Sequence, residues 1–355
     1  MAAGDCSNFS VGASSSFIWF AARPLAELAA YDFAVLDYCV NDGLMIRSGA
    51  NTLRNWEASM RAMFAELRAA GCEPLMLILP SLHTMRGNNP LRPAARALAA
   101  ECRVPFLDGF ELMERVLAME PALALDDLFR DPAHLHPALS RQVGRALVEA
   151  VGKLPSRQTG LGATAPTCPV AYRLRDVTEW MAEDRLVERA TSLVKRRFLL
   201  LSDGEEVACP VDPGERLVGV ALDLAKSNGT LAASGDGMWL KSWTNPYFRE
   251  WLGVERAMVF SILPFMGAVM PGEDGTIRIS VQPDAAAKPD ESWGPIGTSA
   301  DHPASLCLSG LVFERDADVL DIPLPFEAAP DLLALMDAEV PRLIAEAARA
   351  IQMAK

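Results

Sequence analysis

An aspartate and a histidine three residues apart carry the clearest chemistry in the sequence. They occur in Asp131-Pro-Ala-His134-Leu-His-Pro137, just before a helix-patterned run from 138 to 151. On a turn, this spacing lets the carboxylate bond one imidazole nitrogen, which fixes the tautomer and leaves the other nitrogen free to take a proton. The pattern therefore predicts the base half of a nucleophilic mechanism. The alternative is a capped helix start with a solvated histidine, because so short a pattern is not specific.

The composition is that of a globular protein with an acidic surface. The chain has 355 residues, of which 50% are hydrophobic, and its formal net charge is −13. Such a charge argues against nucleic acid and anionic membranes as partners, because both would repel it. The sequence contains no apolar run long enough to span a bilayer and no visible signal peptide, so we expect a cytoplasmic protein with no membrane span.

The seven cysteines are scattered singly and form no C-x-x-C pair. This usage indicates reduced thiols in the core rather than a disulfide framework or a zinc site. No glycine-rich phosphate loop follows any strand, and Asp42 and Asp131 lack a clustered third ligand. We therefore expect neither a cofactor nor a metal.

The first 150 residues alternate between strand and helix patterns, which predicts a parallel sheet covered by helices on both faces. The expected strands are 6–11, 32–40, 75–79 and 104–107, and the expected helices between and after them are 17–28, 51–70, 93–102 and 110–119. Ligands of such sheets bind beyond the carboxyl ends of the strands. Gly12, Asn41, the loop 81–90 with His83, and the Asp131/His134 pair should all emerge at that edge, where the loop would form one wall of a pocket.

The second half of the chain follows a different pattern. Residues 155–172 indicate a linker between a first domain, 1–154, and a second domain, 173–355. We expect the second domain to begin with a helix over 177–192, to continue as short strands, and to end in a helix over 330–353. Five of its aromatic residues lie near turn-rich segments, where stacking on sugar rings is one interpretation and core packing the more frequent one: Trp239, Trp243, Tyr247, Trp251 and Trp293.

Three segments of the first domain together resemble the SGNH (GDSL-type) hydrolase family. Asn8-Phe-Ser-Val-Gly12 is similar to the family's second block, Val40-Asn41-Asp42 to its third, and Asp131-x-x-His134-Leu-x-Pro137 to its fifth. The resemblance implies a flavodoxin-like α/β sheet. It also implies that the Gly12 N–H and the Asn41 amide hold an oxyanion, and that Asp131 and His134 belong to a triad.

The family's first block, which carries the nucleophilic serine, has no clear counterpart. Gly4-Asp5-Cys6 imitates it with a cysteine, but only three residues precede Gly4, too few for the strand that should present a nucleophile. We therefore interpret residues 4–12 as the second block and expect the nucleophile to lie outside this sequence. Cys6 is the weaker candidate.

The resemblance implies an esterase-type hydrolase whose substrate is a small-molecule or carbohydrate ester, for example an O-acetylated polysaccharide. The family also includes thioesterases, lipases and acyltransferases, so hydrolysis and acyl transfer both stay open, as does the oligomeric state. The alternative is a non-catalytic binding or scaffolding protein that keeps the SGNH frame without a nucleophile.

Overall fold

The computed structural model describes most of the chain. The described residues are 7–8, 14–22, 25–87, 89–154, 170–191, 194–243, 258–282, 290–293, 304–317 and 324–354. No helix in these ranges is both long and apolar enough to cross a membrane.

The chain folds into two compact units, each assembled from separate stretches of sequence. One, which we call the α/β unit, comprises Leu25–Gly43, Met63–Thr167 and Val319–Lys355. The other, which we call the β unit, comprises Met1–Pro24, Leu44–Ala62 and Cys168–Asp318. The two are described separately below.

A parallel three-stranded sheet forms the centre of the α/β unit. Its strands are β1 (Phe33–Leu36), β2 (Glu73–Ile78) and β3 (Phe106–Asp108), in the order β1-β2-β3. Leu36 pairs with Met76, and every residue of β2 and β3 is buried. Continuous burial is what a parallel strand with both faces covered requires, and it explains the uninterrupted apolar run in the sequence.

Helices follow each strand of this sheet. Within the described ranges, the α-helices are α1 (Trp19–Ala22), α2 (Leu25–Leu28), α3 (Cys39–Arg47), α4 (Leu53–Ala69), α5 (Leu82–Arg86), α6 (Leu91–Cys102), α7 (Gly109–Met119), α8 (Pro137–Val151) and α9 (Val340–Ala354). One apolar core joins β2 and β3 to α7, α8 and α9 through side chains such as Leu75, Leu107, Val116, Val143 and Leu343. The expected class, an α/β domain followed by a β-rich one, is confirmed.

A two-residue turn in a short hairpin precedes α8. Strand β4 (Phe129–Asp131) pairs antiparallel with β5 (His134–Leu135), so that Asp131 lies opposite His134. The hairpin is anchored by buried Phe129 and Leu135, which pack into the core of the α/β unit. The turn that carries the acid–base pair is thus held at both of its ends.

Two sheets of mainly antiparallel strands share one core in the β unit. The strands in the described part of this unit are β6 (Val170–Asp176), β7 (Leu186–Ala190), β8 (Lys195–Ser202), β9 (Glu206–Pro210), β10 (Arg216–Asp223), β11 (Gly229–Gly235), β12 (Gly237–Trp243), β13 (Phe260–Val269), β14 (Thr276–Gln282), β15 (Glu291–Trp293) and β16 (Ser305–Asp316). One sheet has the order β13-β10-β16-β8-β7, with β6 also on β16, and the other has the order β15-β12-β11-β14-β9. Leu199 and Val220 from the first sheet pack in one cluster with Leu231 and Ile279 from the second.

The prediction of a helix over residues 177–192 is wrong. The segment forms two single turns, Val177–Glu179 and Glu183–Arg185, followed by strand β7. Leu186 pairs with Leu199 of β8. Sheet pairing with a neighbouring strand therefore overrides a weak helical pattern, since propensity yields to tertiary context.

The C-terminal helix, α9, belongs to the α/β unit, although the sequence assigns it to the β-rich second domain. Helix α9 packs on α8 and α7 within the α/β unit, where Ile344 and Leu343 lie in the same core as Leu139 and Val143. Division into 1–154 and 173–355 would separate α9 from these partners. Most of the expected linker, 155–169, lies outside the described residues, and β6 begins at Val170.

Candidate functional site

Asp131 and His134 form a hydrogen-bonded pair across the hairpin turn. The His134 ring nitrogen Nδ1 lies 2.7 Å from Asp131 Oδ1. The backbone N–H groups of Ala133 and His134 donate to the same oxygen, each at 3.0 Å, and Arg130 Nε donates to Oδ2 at 3.1 Å. The carboxylate is therefore fixed by its own turn before the imidazole meets it.

These contacts decide the charge of Asp131. Desolvation raises the pKa of Asp131, but the hydrogen bonds from His134, the Ala133 N–H and Arg130 outweigh it and lower the pKa from 3.8 to about 2. The side chain is thus an anion at neutral pH and can only accept hydrogen bonds. Nδ1 of His134 must therefore carry a proton, which leaves the lone pair of the neutral ring on Nε2.

Nε2, the remaining nitrogen of His134, belongs to a largely exposed side chain. The His134 side chain is 64% exposed, and within the described part of the chain no group bonds Nε2. A ring with one nitrogen fixed by a carboxylate and the other accessible can accept a proton from a bound reactant.

His136, the second histidine of the motif, has a different role. Its Nδ1 accepts a hydrogen bond from the Ala138 N–H at 3.2 Å, which caps the start of α8, and Pro137 occupies the first helical position. The interpretation as a capped helix start thus describes His136, whereas His134 pairs with Asp131.

Asn41 lies in the first turn of α3 instead of the expected turn. Strand β1 ends at Leu36, four residues before the expected strand end at 40, and α3 begins at Cys39. Asn41 is half-buried, and its neighbour Asp42 is fully buried. A helix start places Asn41 at the carboxyl end of β1, the edge at which the sequence predicts it.

The hairpin reaches this edge through α5. Because β1 and β2 are parallel neighbours, α3 and α5 both start at the carboxyl edge of the sheet. The N–H of Leu82, the first residue of α5, donates to the Pro132 carbonyl at 3.0 Å. Pro132 lies between Asp131 and His134. This hydrogen bond therefore holds the turn of the hairpin beside α5, at the carboxyl edge of the sheet where α3 also starts. Contact between Asn41 and His134 stays a prediction.

The remaining predicted site residues are outside the described ranges. Gly12, the expected oxyanion donor, and Cys6, the weaker nucleophile candidate, both fall there, while Asn8 is described and exposed. Their proposed roles stay predictions.

Sequence reasoning missed α5, which lies in the segment expected to be an open loop. The helix begins with a capping box in which Ser81 Oγ accepts from the Thr84 N–H at 3.2 Å and Thr84 Oγ1 accepts from the Ser81 N–H at 2.8 Å. The Ser-x-x-Thr spacing was the available signal. His83 and Arg86 are exposed on this helix, and Arg86 pairs with Asp126.

No nucleophile pairs with His134 among the described residues. The five cysteines that these ranges include are buried and form no disulfide with one another: Cys39, Cys72, Cys102, Cys209 and Cys307. Burial raises the pKa of the Cys39 thiol well above its usual value. A buried, protonated thiol is inert, so Cys39 does not fit the role despite its place beside Asn41.

Trp239 has a packing role in the β unit. Its Nε1 donates to Glu291 Oε1 at 2.6 Å, and its ring lies against Gly267, where a Cβ would meet ring atom Cζ3 at 2.9 Å. The side chains of Trp243 and Trp293, and all of Tyr247 and Trp251, lie outside the described part of the chain. Core packing is therefore the interpretation that the described contacts of Trp239 favour.

Comparison with known proteins gives a similarity in structure alone. No family model and no curated protein matches the sequence. Two solved structures of a two-domain esterase active on acetylated mannans, one of them co-crystallised with mannopentaose, match with TM-scores of 0.54 and 0.55. The chain shares their fold. Each match covers 87% of this chain and 79 to 80% of the other, at 10% sequence identity.

Proposed function

We propose that this chain is an esterase-type hydrolase in which His134 is the general base and Asp131 orients it. The observation that carries the proposal is the 2.7 Å contact between Asp131 Oδ1 and His134 Nδ1 in a ring whose Nε2 is open. A carboxylate on one imidazole nitrogen stabilises the imidazolium that forms when the other nitrogen takes a proton. The shared fold with two-domain esterases supports the same reaction class.

In the proposed mechanism, Nε2 of His134 removes the proton of a nucleophile that attacks the ester carbonyl. The proton then passes from His134 to the departing alcohol, and a water molecule activated in the same way releases the acid. Asn41 and the Gly12 N–H would stabilise the oxyanion of the tetrahedral intermediate. No described residue pairs with His134 as a nucleophile, and Cys6, the candidate within this sequence, lies outside the described residues.

The substrate class that we propose is a carbohydrate O-acyl ester, with acetate as the simplest acyl group. The similar structures belong to an esterase that acts on acetylated mannans. An open, largely exposed base suits a bulky polymer better than a deep cavity would, because a polysaccharide has to reach Nε2 from solvent. Transfer of the acyl group to a second hydroxyl uses the same residues, with that hydroxyl in place of water.

The first experiment measures acetate release from acetylated mannan and from p-nitrophenyl acetate by the parent chain and by Asn41→Ala. Loss of one oxyanion donor should lower kcat by about 10² to 10³-fold. A parent chain without activity on either ester, and without a covalent adduct after treatment with a phosphonate ester, would favour the non-catalytic binding protein. Activity that Cys6→Ala removes would identify Cys6 as the nucleophile.

A further inference from the structure

A continuous series of hydrogen bonds connects α5 to the imidazole of His134. The Leu82 N–H donates to the Pro132 carbonyl at 3.0 Å. The same peptide unit carries the Ala133 N–H, which donates to Asp131 Oδ1 at 3.0 Å, and that oxygen contacts His134 Nδ1 at 2.7 Å. In a trans peptide the C=O and N–H point in opposite directions. The peptide between Pro132 and Ala133 therefore bonds α5 on one side and the carboxylate on the other.

The donor end of this series is rigid. Ser81 and Thr84 form the capping box of α5, and their hydroxyl oxygens are 3.1 Å apart. Leu82 and Met85 pack against the core of the α/β unit. Arg86, at the end of the helix, pairs with Asp126, in the turn that leads into β4. The helix is thus attached to the segment 126–134 at both of its ends.

From these contacts we infer that α5 is a positioning element for the acid–base pair. By holding the Pro132 carbonyl, it fixes the plane of the 132–133 peptide, the direction of the Ala133 N–H and, through it, the Asp131 oxygen that orients His134. Without this bond the 132–133 peptide would lose a constraint from outside the hairpin, and the direction of the Ala133 N–H toward Asp131 Oδ1 would vary more. The two bonds made by the 132–133 peptide, one as acceptor and one as donor, also polarise each other, which strengthens both. The expected effect of α5 on catalysis rests on the proposed function, whereas its expected effect on the tautomer of the His134 imidazole does not.

The test is Leu82→Pro, with Leu82→Ala as the matched control. Leu82 is the first residue of α5, where proline is favoured, and Ser81 has φ −101° and ψ 164°, the extended conformation that a residue before proline adopts. Proline therefore suits the helix but removes the N–H and places its Cδ against the Pro132 carbonyl. The alanine variant loses the same side-chain packing and keeps the donor.

The readout is the tautomer of His134, measured by long-range proton–nitrogen NMR on protein labelled at its four histidines. In the parent and in Leu82→Ala, Nδ1 should carry the proton at alkaline pH. In Leu82→Pro, the two tautomers should mix, and kcat for p-nitrophenyl acetate should fall by about 10²-fold with little change in KM. An unchanged Nδ1–H signal in folded Leu82→Pro would overturn the inference.

A second variant decides the question if Leu82→Pro does not fold. Thr84→Val keeps the shape of the side chain but removes the oxygen that accepts the Ser81 N–H, which loosens the start of α5. Partial loss of the Nδ1–H signal would support the inference, and an unchanged signal would overturn it. If the parent hydrolyses no ester, the proposed function fails while this comparison still tests the role of α5.

Discussion

At the scale of single residues, the most informative atom is Asp131 Oδ1. It accepts the backbone N–H groups of Ala133 and His134 and contacts the His134 ring. A carboxylate held by its own turn, in a hairpin that α5 holds through the Pro132 carbonyl, loses little further freedom when the ring is placed. This explains how so exposed a histidine can be oriented.

The pKa of Asp131 gives a prediction in acid solution. The pKa of Asp131 is lowered to about 2 in the folded chain. The ionised carboxylate should therefore stabilise the hairpin at pH values above 3.8, the ordinary pKa of an aspartate. That contribution should be lost as the pH falls through about 2. A carboxyl carbon NMR titration of Asp131 should therefore show its midpoint near pH 2.

Arg130→Gln provides the comparison. Loss of the Nε–Oδ2 contact should raise the Asp131 midpoint, but not to the ordinary value, because the His134 and Ala133 donors remain. Arg141→Gln, an exposed arginine on α8, removes the same charge elsewhere. If the two variants shift the midpoint equally, the contact with Arg130 has no specific role.

At the scale of elements, the junction between β3 and α7 is packed closely against the end of β2. Buried Asp108 accepts the N–H groups of Phe110 and Glu111 and so caps α7. Gly109, between Asp108 and Phe110, has no room for a side chain, because a Cβ would lie 2.9 Å from Leu79 Cδ2 and 3.1 Å from the Ile78 carbonyl oxygen. The backbone of this helix start thus lies directly on β2.

Gly109→Ala should destabilise the fold, since an added methyl group forces the backbone of β2 away. We expect the free energy of unfolding to fall by about 1 to 3 kcal/mol, measured by urea denaturation. Gly144→Ala is the control, because that glycine is exposed on α8 with open space around it. Alanine there should raise the stability by about 0.5 to 1 kcal/mol. Equal effects at both glycines would contradict the packing at Gly109.

The sequence predicted those elements whose stability comes from their own pattern. The buried run of β2 and the apolar face of α4, with Trp56, Met60 and Leu67 all buried, lie where the periodicity predicts. Prediction from the sequence failed where contact with a distant segment determines the structure. Strand β7 is a strand because β8 pairs with it, and α9 packs on α8, which is distant in sequence. At the site, the spacing predicted the contact between Asp131 and His134 as one of two interpretations, the other being a capped helix start. The bond between Leu82 and Pro132 joins residues far apart in sequence, and no local pattern encodes it.

At the scale of the whole molecule, the β unit contains a charge pair cut off from water. Lys241 Nζ lies 2.9 Å from Glu291 Oε2, and both side chains have zero exposure. Lys241 also donates to the carbonyl oxygens of Pro264 and Ala50, while Glu291 accepts from Trp239 and Met266. Burial lowers the pKa of Lys241, and Glu291 opposes that effect. The pair therefore links β12, β13 and β15 with the segment before α4.

Glu291→Gln should destabilise the β unit by about 3 to 5 kcal/mol, because it leaves a buried ammonium without its counter-charge while keeping the shape of the side chain. The measurement is thermal or urea unfolding followed by tryptophan fluorescence. Glu188→Gln breaks the exposed pair with Lys195 and should leave the stability almost unchanged. Similar losses in the two variants would contradict the account of the buried pair.

The most direct test of the central claim compares two histidines two residues apart. The initial rate of p-nitrophenyl acetate hydrolysis is measured at neutral pH for the parent, for His134→Ala and for His136→Asn. Asparagine at 136 keeps an acceptor for the start of α8, so this variant should match the parent, whereas His134→Ala should lose about 10² to 10⁴-fold in kcat. A His134→Ala variant that hydrolyses the ester as fast as His136→Asn would contradict the assignment of the base.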